Sequence, residues 1–132
     1  MPEYATNGSA GMDIRASLQT PVILQPLERA MIPTGLYFEI PQGYEGQMRP
    51  RSGLAMKHGI TCLNSPGTID SDYRGELKVI LINLSNQEQI ISNGERIAQV
   101  VISKVEQALL HPVDQLQDSL RGEGGFGHTG TS

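Results

Sequence analysis

Short hydrophobic runs, each bounded by turn residues, recur along most of the chain. Residues 12–16 alternate between hydrophobic and polar side chains, which predicts a short strand with one buried face and with Asp13 on the opposite face. Residues 77–84 predict the best-defined strand, because the unbroken hydrophobic run at residues 79–82 indicates burial on both faces. The same criteria predict strands at residues 21–24, 35–40, 45–49, 60–63, 89–92 and 97–103, and a last ordered element at residues 105–110.

Helix signals are confined to one stretch. Residues 54–58 predict one or two helical turns, with Ser52 as the N-cap and Gly59 as the stop. Asn93-Gly94 is a strong signal for a two-residue hairpin turn between two of the predicted strands. Many short strands with almost no helix predict an all-β fold, namely an antiparallel β-sandwich, jelly roll or barrel.

Composition and charge narrow the range of partners. The chain has 132 residues, which fits a single domain, and its 15 glycines and 8 prolines favour turns over long helices. With a net charge of −4 and no block of Lys or Arg, it is a poor candidate for binding a nucleic acid polymer, although a small phosphate ligand needs only a few cations or amides. No hydrophobic run is long enough to span a membrane, and the single Cys62 excludes an internal disulfide. We therefore expect a cytoplasmic protein without a membrane partner.

Charged and aromatic residues are concentrated at residues 67–76, just before the strongest predicted strand. Asp70, Asp72, Tyr73 and Arg74 lie there between two glycines. A turn at a strand end can present catalytic groups on a rigid scaffold, but the same residue types also suit a solvated β-turn. On this stretch alone, the two interpretations remain open.

Three other stretches also allow a functional or a structural interpretation. Backbone amides at the start of the predicted helix, beside Arg51, form a candidate anion site or belong to an ordinary surface helix. Gln99, inside a hydrophobic strand, either faces solvent or directs its amide into a pocket. The glycine-rich tail at residues 121–132 is either a disordered terminus or a segment that closes over a ligand. The tail contains a G-x-G-x-x-G pattern, but it lacks the preceding strand and following helix of a dinucleotide-binding site.

Five short motifs occur together in one order along the chain. They are residues 10–14 (AGMDI), 50–55 (PRSGLA), 67–75 (GTIDSDYRG), 94–99 (GERIAQ) and 121–130 (RGEGGFGHTG). With these motifs the chain resembles the homotrimeric dUTP diphosphatase (dUTPase) family, bacterial type. There are two departures: relatives usually carry an additional N-terminal strand before residues 2–6, and His128 stands where they often have Ser.

The resemblance implies a fold and an activity. The implied fold is an antiparallel, jelly-roll-like distorted β-barrel with one short helix, as a single domain over residues 1–118, followed by a flexible glycine-rich C-terminal arm over residues 119–132 that closes over an active site. The implied reaction is the hydrolysis of dUTP to dUMP and pyrophosphate, by Mg²⁺-assisted attack of water on the α-phosphorus, at active sites shared within a homotrimer. This reaction keeps uracil out of DNA and supplies the precursor of dTMP. Two alternatives are a non-catalytic, dUTP-binding regulatory trimer and a relative that deaminates dCTP.

The resemblance also implies the roles of individual residues. Asp70 is expected to orient and deprotonate the attacking water and to contact the 3′-hydroxyl, with Ser52 and Gln99 as the other catalytic residues. Tyr73 is expected beneath the deoxyribose, where a 2′-hydroxyl would clash. The residues expected around the uracil are Asn64, Gly67, Thr68, Ile69, Lys78 and Phe126.

The remaining roles concern the phosphates and the metal. Asp13 is expected to hold Mg²⁺ through water. Attack on an anionic triphosphate requires positioning and neutralisation of charge more than covalent chemistry, which agrees with the residue types present. The residues expected to bind the phosphates are Arg51, Ser52, Gly53, Gln99, Arg121, Gly127, His128 and Thr129.

Overall fold

Antiparallel strands make up nearly all the regular structure of residues 1–126, the part of the chain that the computed structural model describes. One short helix interrupts the strands, as predicted. The elements in chain order are β1 (Gly11–Arg15), β2 (Val22–Leu24), β3 (Arg29–Tyr37), β4 (Tyr44–Arg49), α1 (Ser52–His58), β5 (Ile60–Cys62), β6 (Gly67–Ile69), β7 (Glu76–Asn83), β8 (Gln89–Ile91) and β9 (Arg96–Lys104).

The strands form three sheets, and all their pairings are antiparallel. The largest sheet has the order β1-β9-β4-β6, the second has the order β3-β7-β5, and β2 pairs with β8. No two strands that follow one another in the chain pair with each other, which is typical of a jelly roll and not of a series of hairpins. The all-β prediction is confirmed, and the sheets stay open, which fits a distorted barrel.

Aliphatic side chains fill the core between these sheets. The inward positions of each sheet contribute, and Ile14, Leu24, Ile32, Leu81 and Val100 are fully buried. Burying each such side chain stabilises the fold by about 1.5–3 kcal/mol relative to leaving it exposed. The same sheets therefore hold the core together and carry the loops at their ends.

The strand β3 begins earlier than its sequence pattern indicates. The sequence pattern predicts a strand at residues 35–40, whereas β3 spans Arg29–Tyr37. Pro33 and the left-handed Gly35 (φ 68°) resemble a strand boundary, yet they mark only a break in register within the pairing to β7. Thr34 bridges the break, because its buried hydroxyl donates a hydrogen bond of 2.6 Å to the Leu77 carbonyl.

Three further predictions about local structure are wrong. Asn93-Gly94 does form a turn, but the flanking strands belong to different sheets, and the Gly94 amide donates to the Ala16 carbonyl at 2.8 Å. Residues 105–110 form no regular element, and Leu109 and Leu110 are exposed. In β7 one face is buried and the other is not, since Ile80 and Ile82 are only half-buried and Lys78 is exposed.

Within residues 1–126, no helix is long and apolar enough to cross a membrane. The one cysteine, Cys62, is a free thiol buried at the end of β5. Its burial raises the pKa of the Cys62 thiol to about 11, so the thiol stays protonated at neutral pH and is unsuited to act as a nucleophile.

Candidate active site

A cavity of about 390 Å³ lies beside the strand β6 and the turn that joins it to β7. We call it the hairpin cavity. It collects seven of the residues that the sequence singled out as site candidates. Its lining consists of Met31, Met48, Asn64, Gly67, Thr68, Ile69, Asp70, Tyr73, Glu76, Leu77, Lys78 and Ile80.

The strand β6 was not predicted, because residues 64–67 carry turn signals. It nevertheless pairs with β4 from Gly67 to Ile69. It is the edge strand of its sheet, so the backbone groups on its outer side have no partner strand within residues 1–126. Unpaired N–H and C=O groups on an edge strand are free to bond to another planar polar edge.

Asn64 lies close against this strand. A Cβ built on Gly67 would stand 3.1 Å from the Asn64 amide nitrogen and 3.3 Å from Cβ of Met48. Glycine at position 67 therefore leaves room for the Asn64 side chain beside the β6 backbone. Lys78 also lines the cavity, with its ammonium 3.8 Å from a Glu76 carboxylate oxygen.

Asp70 follows the last residue of β6 and is exposed at the rim of the hairpin cavity. The turn behind it is tightly held: the Tyr73 amide donates to the Asp70 carbonyl at 3.1 Å, and Arg74 donates to the Ser71 carbonyl at 2.6 Å. A second, more open depression of about 1240 Å³ adjoins the cavity, and Thr68 and Asp70 line both. The Asp70 carboxylate is thus accessible on a fixed turn.

Tyr73 is half-exposed, and its ring forms part of the cavity lining. Its hydroxyl donates a hydrogen bond of 2.9 Å to the Glu76 carbonyl, at the start of β7. This bond holds the ring along the turn and over Gly75.

A second group of functional candidates forms an ionic cluster on β1, β9 and the residue before α1. Asp13 accepts a hydrogen bond of 2.9 Å from Nε of Arg51 and one of 3.2 Å from Arg96. The side chains of Arg51 and Asp13 are 27% and 35% exposed, so the pair is partly shielded from water. We call Asp13, Arg51, Arg96 and Gln99 the arginine cluster; its two cations and one anion leave a net positive charge suited to phosphate.

Gln99 is the register partner of Asp13, and its side-chain amide donates to the Pro50 carbonyl at 3.1 Å. This bond joins β9 to the segment that leads into α1. Gln99 is half-buried. Both predicted orientations of its amide, toward solvent and into a pocket, are compatible with this burial.

The helix α1 places Ser52 and Gly53 next to the cluster as its first two residues, and both are exposed. The predicted Ser52 cap is wrong, because Arg51 occupies the N-cap position and no side chain caps the helix. The predicted stop is confirmed: Gly59 is left-handed (φ 65°) and donates to the Ala55 carbonyl at 3.0 Å. Ser52 therefore keeps its hydroxyl free of a capping role.

The hairpin cavity and the arginine cluster use the same sheet but remain separate in one chain. Gln99 also pairs in register with Arg49 of β4, so the two side chains share a face. Met48, the next residue, points to the opposite face and lines the hairpin cavity. Neither the cavity nor the adjoining depression includes Asp13, Arg51 or Gln99.

The C-terminal candidates are not brought to either group within the described residues. Arg121 and Phe126 are exposed, and Nε of Arg121 donates to the Gly124 carbonyl at 2.6 Å, a contact inside the tail. Gly127, His128 and Thr129 lie outside the described residues.

Several residues at these sites were missed from the sequence. Nothing local in the sequence distinguishes Arg96, although it lies inside the fourth motif. Met31 and Met48 enter the hairpin cavity from β3 and β4, and no short-range pattern links either residue to residues 67–76. Met31 is 60% exposed on its strand, and this exposure becomes apparent only in the folded chain.

The donor set for a metal ion is small. Among residues 1–126, no three His, Cys, Asp or Glu side chains come close enough together to hold an ion. Mg²⁺ usually keeps several waters and binds through one or two carboxylates together with substrate phosphates, so a single carboxylate such as Asp13 fits an ion held through water. Each carboxylate oxygen of Asp13 accepts one hydrogen bond from an arginine and has further acceptor capacity.

Fold and site together define a jelly-roll-type β protein with an acid beside a cavity and a separate phosphate-suited cluster. A model of the dUTPase family matches residues 1–130. The chain belongs to the dUTPase family.

Individual relatives agree with this assignment. A deoxyuridine 5′-triphosphate nucleotidohydrolase of Fusobacterium nucleatum is 59% identical over 130 residues, which cover 98% of this chain and 89% of that protein. A protein of the same name from Chlamydia pneumoniae is 60% identical over 133 residues, covering 100% and 92%.

Solved structures show the same fold. A mutant dUTPase of Staphylococcus bacteriophage 80alpha with dUpNHpp superposes with a TM-score of 0.89 at 30% identity, covering 99% of this chain and 92% of that chain. A mutant dUTPase of phage phi11 of S. aureus, described for its coordination of a structural Mg(II) ion, has a TM-score of 0.79 at 26% identity, covering 89% and 92%.

Proposed function

We propose that this protein hydrolyses dUTP to dUMP and pyrophosphate, by attack of water on the α-phosphorus with the assistance of Mg²⁺. Its activity would keep uracil out of DNA and supply the precursor of dTMP in the cytoplasm. The observation that carries the proposal is the placement of Asp70 on a held turn at the rim of a cavity, between an edge strand and Tyr73, in a chain of the dUTPase family.

Uracil is read by the outer edge of β6 together with Asn64. A pyrimidine base presents a planar row of donors and acceptors, and an edge strand offers the complementary row of N–H and C=O groups. Backbone groups cannot rotate away, so they discriminate by fixed geometry. Gly67, Thr68 and Ile69 form this reading edge, and Lys78 lines the same cavity.

The sugar and the attacking water meet at the turn. The Tyr73 ring supports the deoxyribose and leaves no space for a 2′-hydroxyl. Asp70 contacts the 3′-hydroxyl, orients the water and accepts its proton. Because the turn is held by its own hydrogen bonds, the carboxylate needs little reorganisation before the reaction.

The triphosphate is bound by the arginine cluster. Arg51 offers a guanidinium that already lies beside Asp13, while Ser52, Gly53 and Gln99 contribute a hydroxyl, an amide and a side-chain amide. When Mg²⁺ is bound, it neutralises part of the phosphate charge, and Asp13 would hold it through water. Arg121, Phe126, Gly127, His128 and Thr129 would close over the substrate from an arm at residues 119–132.

The separation of the two groups supports a homotrimer with shared active sites. One chain holds the hairpin cavity and the arginine cluster apart, so a complete site would combine the cavity of one copy with the cluster of another. The resemblance to the dUTPase family implies the trimer. The separation of the hairpin cavity from the arginine cluster is the feature of this chain that agrees with it.

A nucleotide panel tests the activity. The protein with Mg²⁺ should release pyrophosphate from dUTP and little from dTTP, dCTP or UTP. Binding of dUTP without pyrophosphate release would favour a regulatory trimer, and ammonia release from dCTP would favour a deaminase. Either result would overturn the proposal.

A further inference from the structure

The Tyr73 ring lies directly over Gly75. A Cβ built on Gly75 would stand 2.5 Å from Cζ and 2.9 Å from Cε2 of that ring, and it would also overlap the hydroxyl oxygen. Non-bonded carbon atoms pack at about 3.5–4.0 Å, so no side chain other than hydrogen fits at position 75 while the ring keeps its place.

Glycine is required at position 75 because the space there is limited, and not because of the backbone conformation. Gly75 is absent from the glycines with positive φ, in contrast to Gly59 and Gly94. An alanine at position 75 would therefore adopt the same backbone without strain. However, the Cβ of that alanine would overlap the Tyr73 ring.

The ring in turn has a defined position. Its hydroxyl donates to the Glu76 carbonyl at 2.9 Å, and the Tyr73 amide donates to the Asp70 carbonyl at 3.1 Å. The ring and the Asp70 carboxylate thus belong to one turn, and the outer end of the ring is fixed at the first residue of β7. Any group added at Gly75 would break the hydroxyl bond and turn the ring out of this arrangement.

We propose that Gly75 is a positioning residue for sugar selection: its missing side chain seats the Tyr73 ring and so determines the discrimination between deoxyribose and ribose. This inference rests on the proposed function, in which Tyr73 supports the sugar. The 46% exposure of Tyr73 means that the ring can swing into solvent without damage to the core. Displacement of the ring therefore affects selection far more than folding.

The test is a double-mutant cycle between Gly75→Ala and Tyr73→Ala. Gly8→Ala is the matched control, because a Cβ on Gly8 meets no atom within 4 Å. Each protein is assayed for kcat and KM with dUTP and with UTP, and its thermal midpoint is measured at one protein concentration.

Gly75→Ala should lower the ratio of kcat/KM for dUTP to that for UTP by about tenfold or more, with the thermal midpoint near that of the wild type. Tyr73→Ala should lower the ratio similarly. Adding Gly75→Ala to Tyr73→Ala should change it by less than about twofold, because no ring remains to be displaced.

The possible failures are distinguishable. If the wild type releases no pyrophosphate from dUTP, the proposed function falls and the inference with it. If Tyr73→Ala loses selectivity while Gly75→Ala keeps it, the function stands and only the role of Gly75 is overturned. An equal loss from Gly75→Ala with and without the Tyr73 ring would also overturn it.

Discussion

The side-chain oxygen of Gln99 occupies the space that a side chain on Gly11, on the neighbouring strand of the same sheet, would need. A Cβ on Gly11 would stand only 2.6 Å from that oxygen and 3.4 Å from Cβ and Cδ of Gln99. The Gln99 amide nitrogen meanwhile donates to the Pro50 carbonyl. Gly11 therefore provides the space in which Gln99 folds back toward the segment that carries Arg51.

Gly11→Ala should displace Gln99 and weaken catalysis. We expect kcat/KM for dUTP to fall by about tenfold or more, because a misplacement of about 1 Å in a positioning group already has large effects on rate. Steady-state assays of Gly11→Ala, Gln99→Ala and the double variant measure this. If Gly11→Ala lowers the rate equally in the Gln99→Ala background, the glycine acts through something other than Gln99.

Asp70→Asn should abolish turnover and keep binding. The amide preserves the shape of the carboxylate but cannot accept the proton of the attacking water, so pyrophosphate release should fall by at least about 10²-fold. Calorimetric titration with dUTP should still show binding. Asp72→Asn, an exposed acid in the same turn, is the matched control and should retain activity. Full activity of Asp70→Asn would remove Asp70 as the base.

Asp13→Asn should raise the Mg²⁺ concentration required for half-maximal activity. The amide keeps an acceptor for Arg51 but loses the negative charge that favours a cation, and loss of an outer-shell partner typically reduces metal affinity by about 10- to 100-fold. Titration of Mg²⁺ against the rate of pyrophosphate release measures the shift. Asp114→Asn, on an exposed acid of the irregular segment, provides the comparison. An unchanged Mg²⁺ requirement would contradict the assignment of Asp13.

Mixing two inactive variants should restore activity if the active sites are shared. Asp70→Asn damages the hairpin cavity, and Arg51→Ala damages the arginine cluster. In trimers assembled at random from equal amounts of both, about one quarter of the sites would combine an intact cavity with an intact cluster. Refolding the variants together, followed by a turnover assay and a mass measurement in solution, tests this. Trimers without any restored activity would show that each chain builds its own site.

The short-range pattern predicts the local elements of this fold well. Alternation of side chains predicts β1, the hydrophobic run predicts β7, and Gly59 ends α1 where expected. These features depend on residues within a few positions of one another, and local sterics and periodicity are sufficient to produce them. The five motifs also singled out Asp70, Tyr73 and Gln99, which lie in the hairpin cavity or in the arginine cluster.

Long-range pairing is what local pattern does not predict. Asn93-Gly94 has the chemistry of a hairpin, yet β8 pairs with β2 and β9 pairs with β1 and β4. The turn is the same in either case, and the choice of partner depends on which hydrophobic faces can be buried together across the whole domain. In the same way, Pro33 and Gly35 resemble a strand boundary in the sequence, but β3 continues through them because it pairs with β7 on both sides.

The all-β class, the family and the chemistry-bearing turn at residues 67–76 follow from the amino-acid sequence, because they depend on residue types and their order. Which residues meet depends on the packing of the whole domain. Arg96 reaches Asp13 across 83 positions of the chain, and Met31 reaches the hairpin cavity from another sheet. The position of the Tyr73 ring over Gly75 likewise cannot be predicted from the sequence, because it depends on packing within the folded turn. In that turn a hydrogen atom fits at position 75 and a methyl group does not.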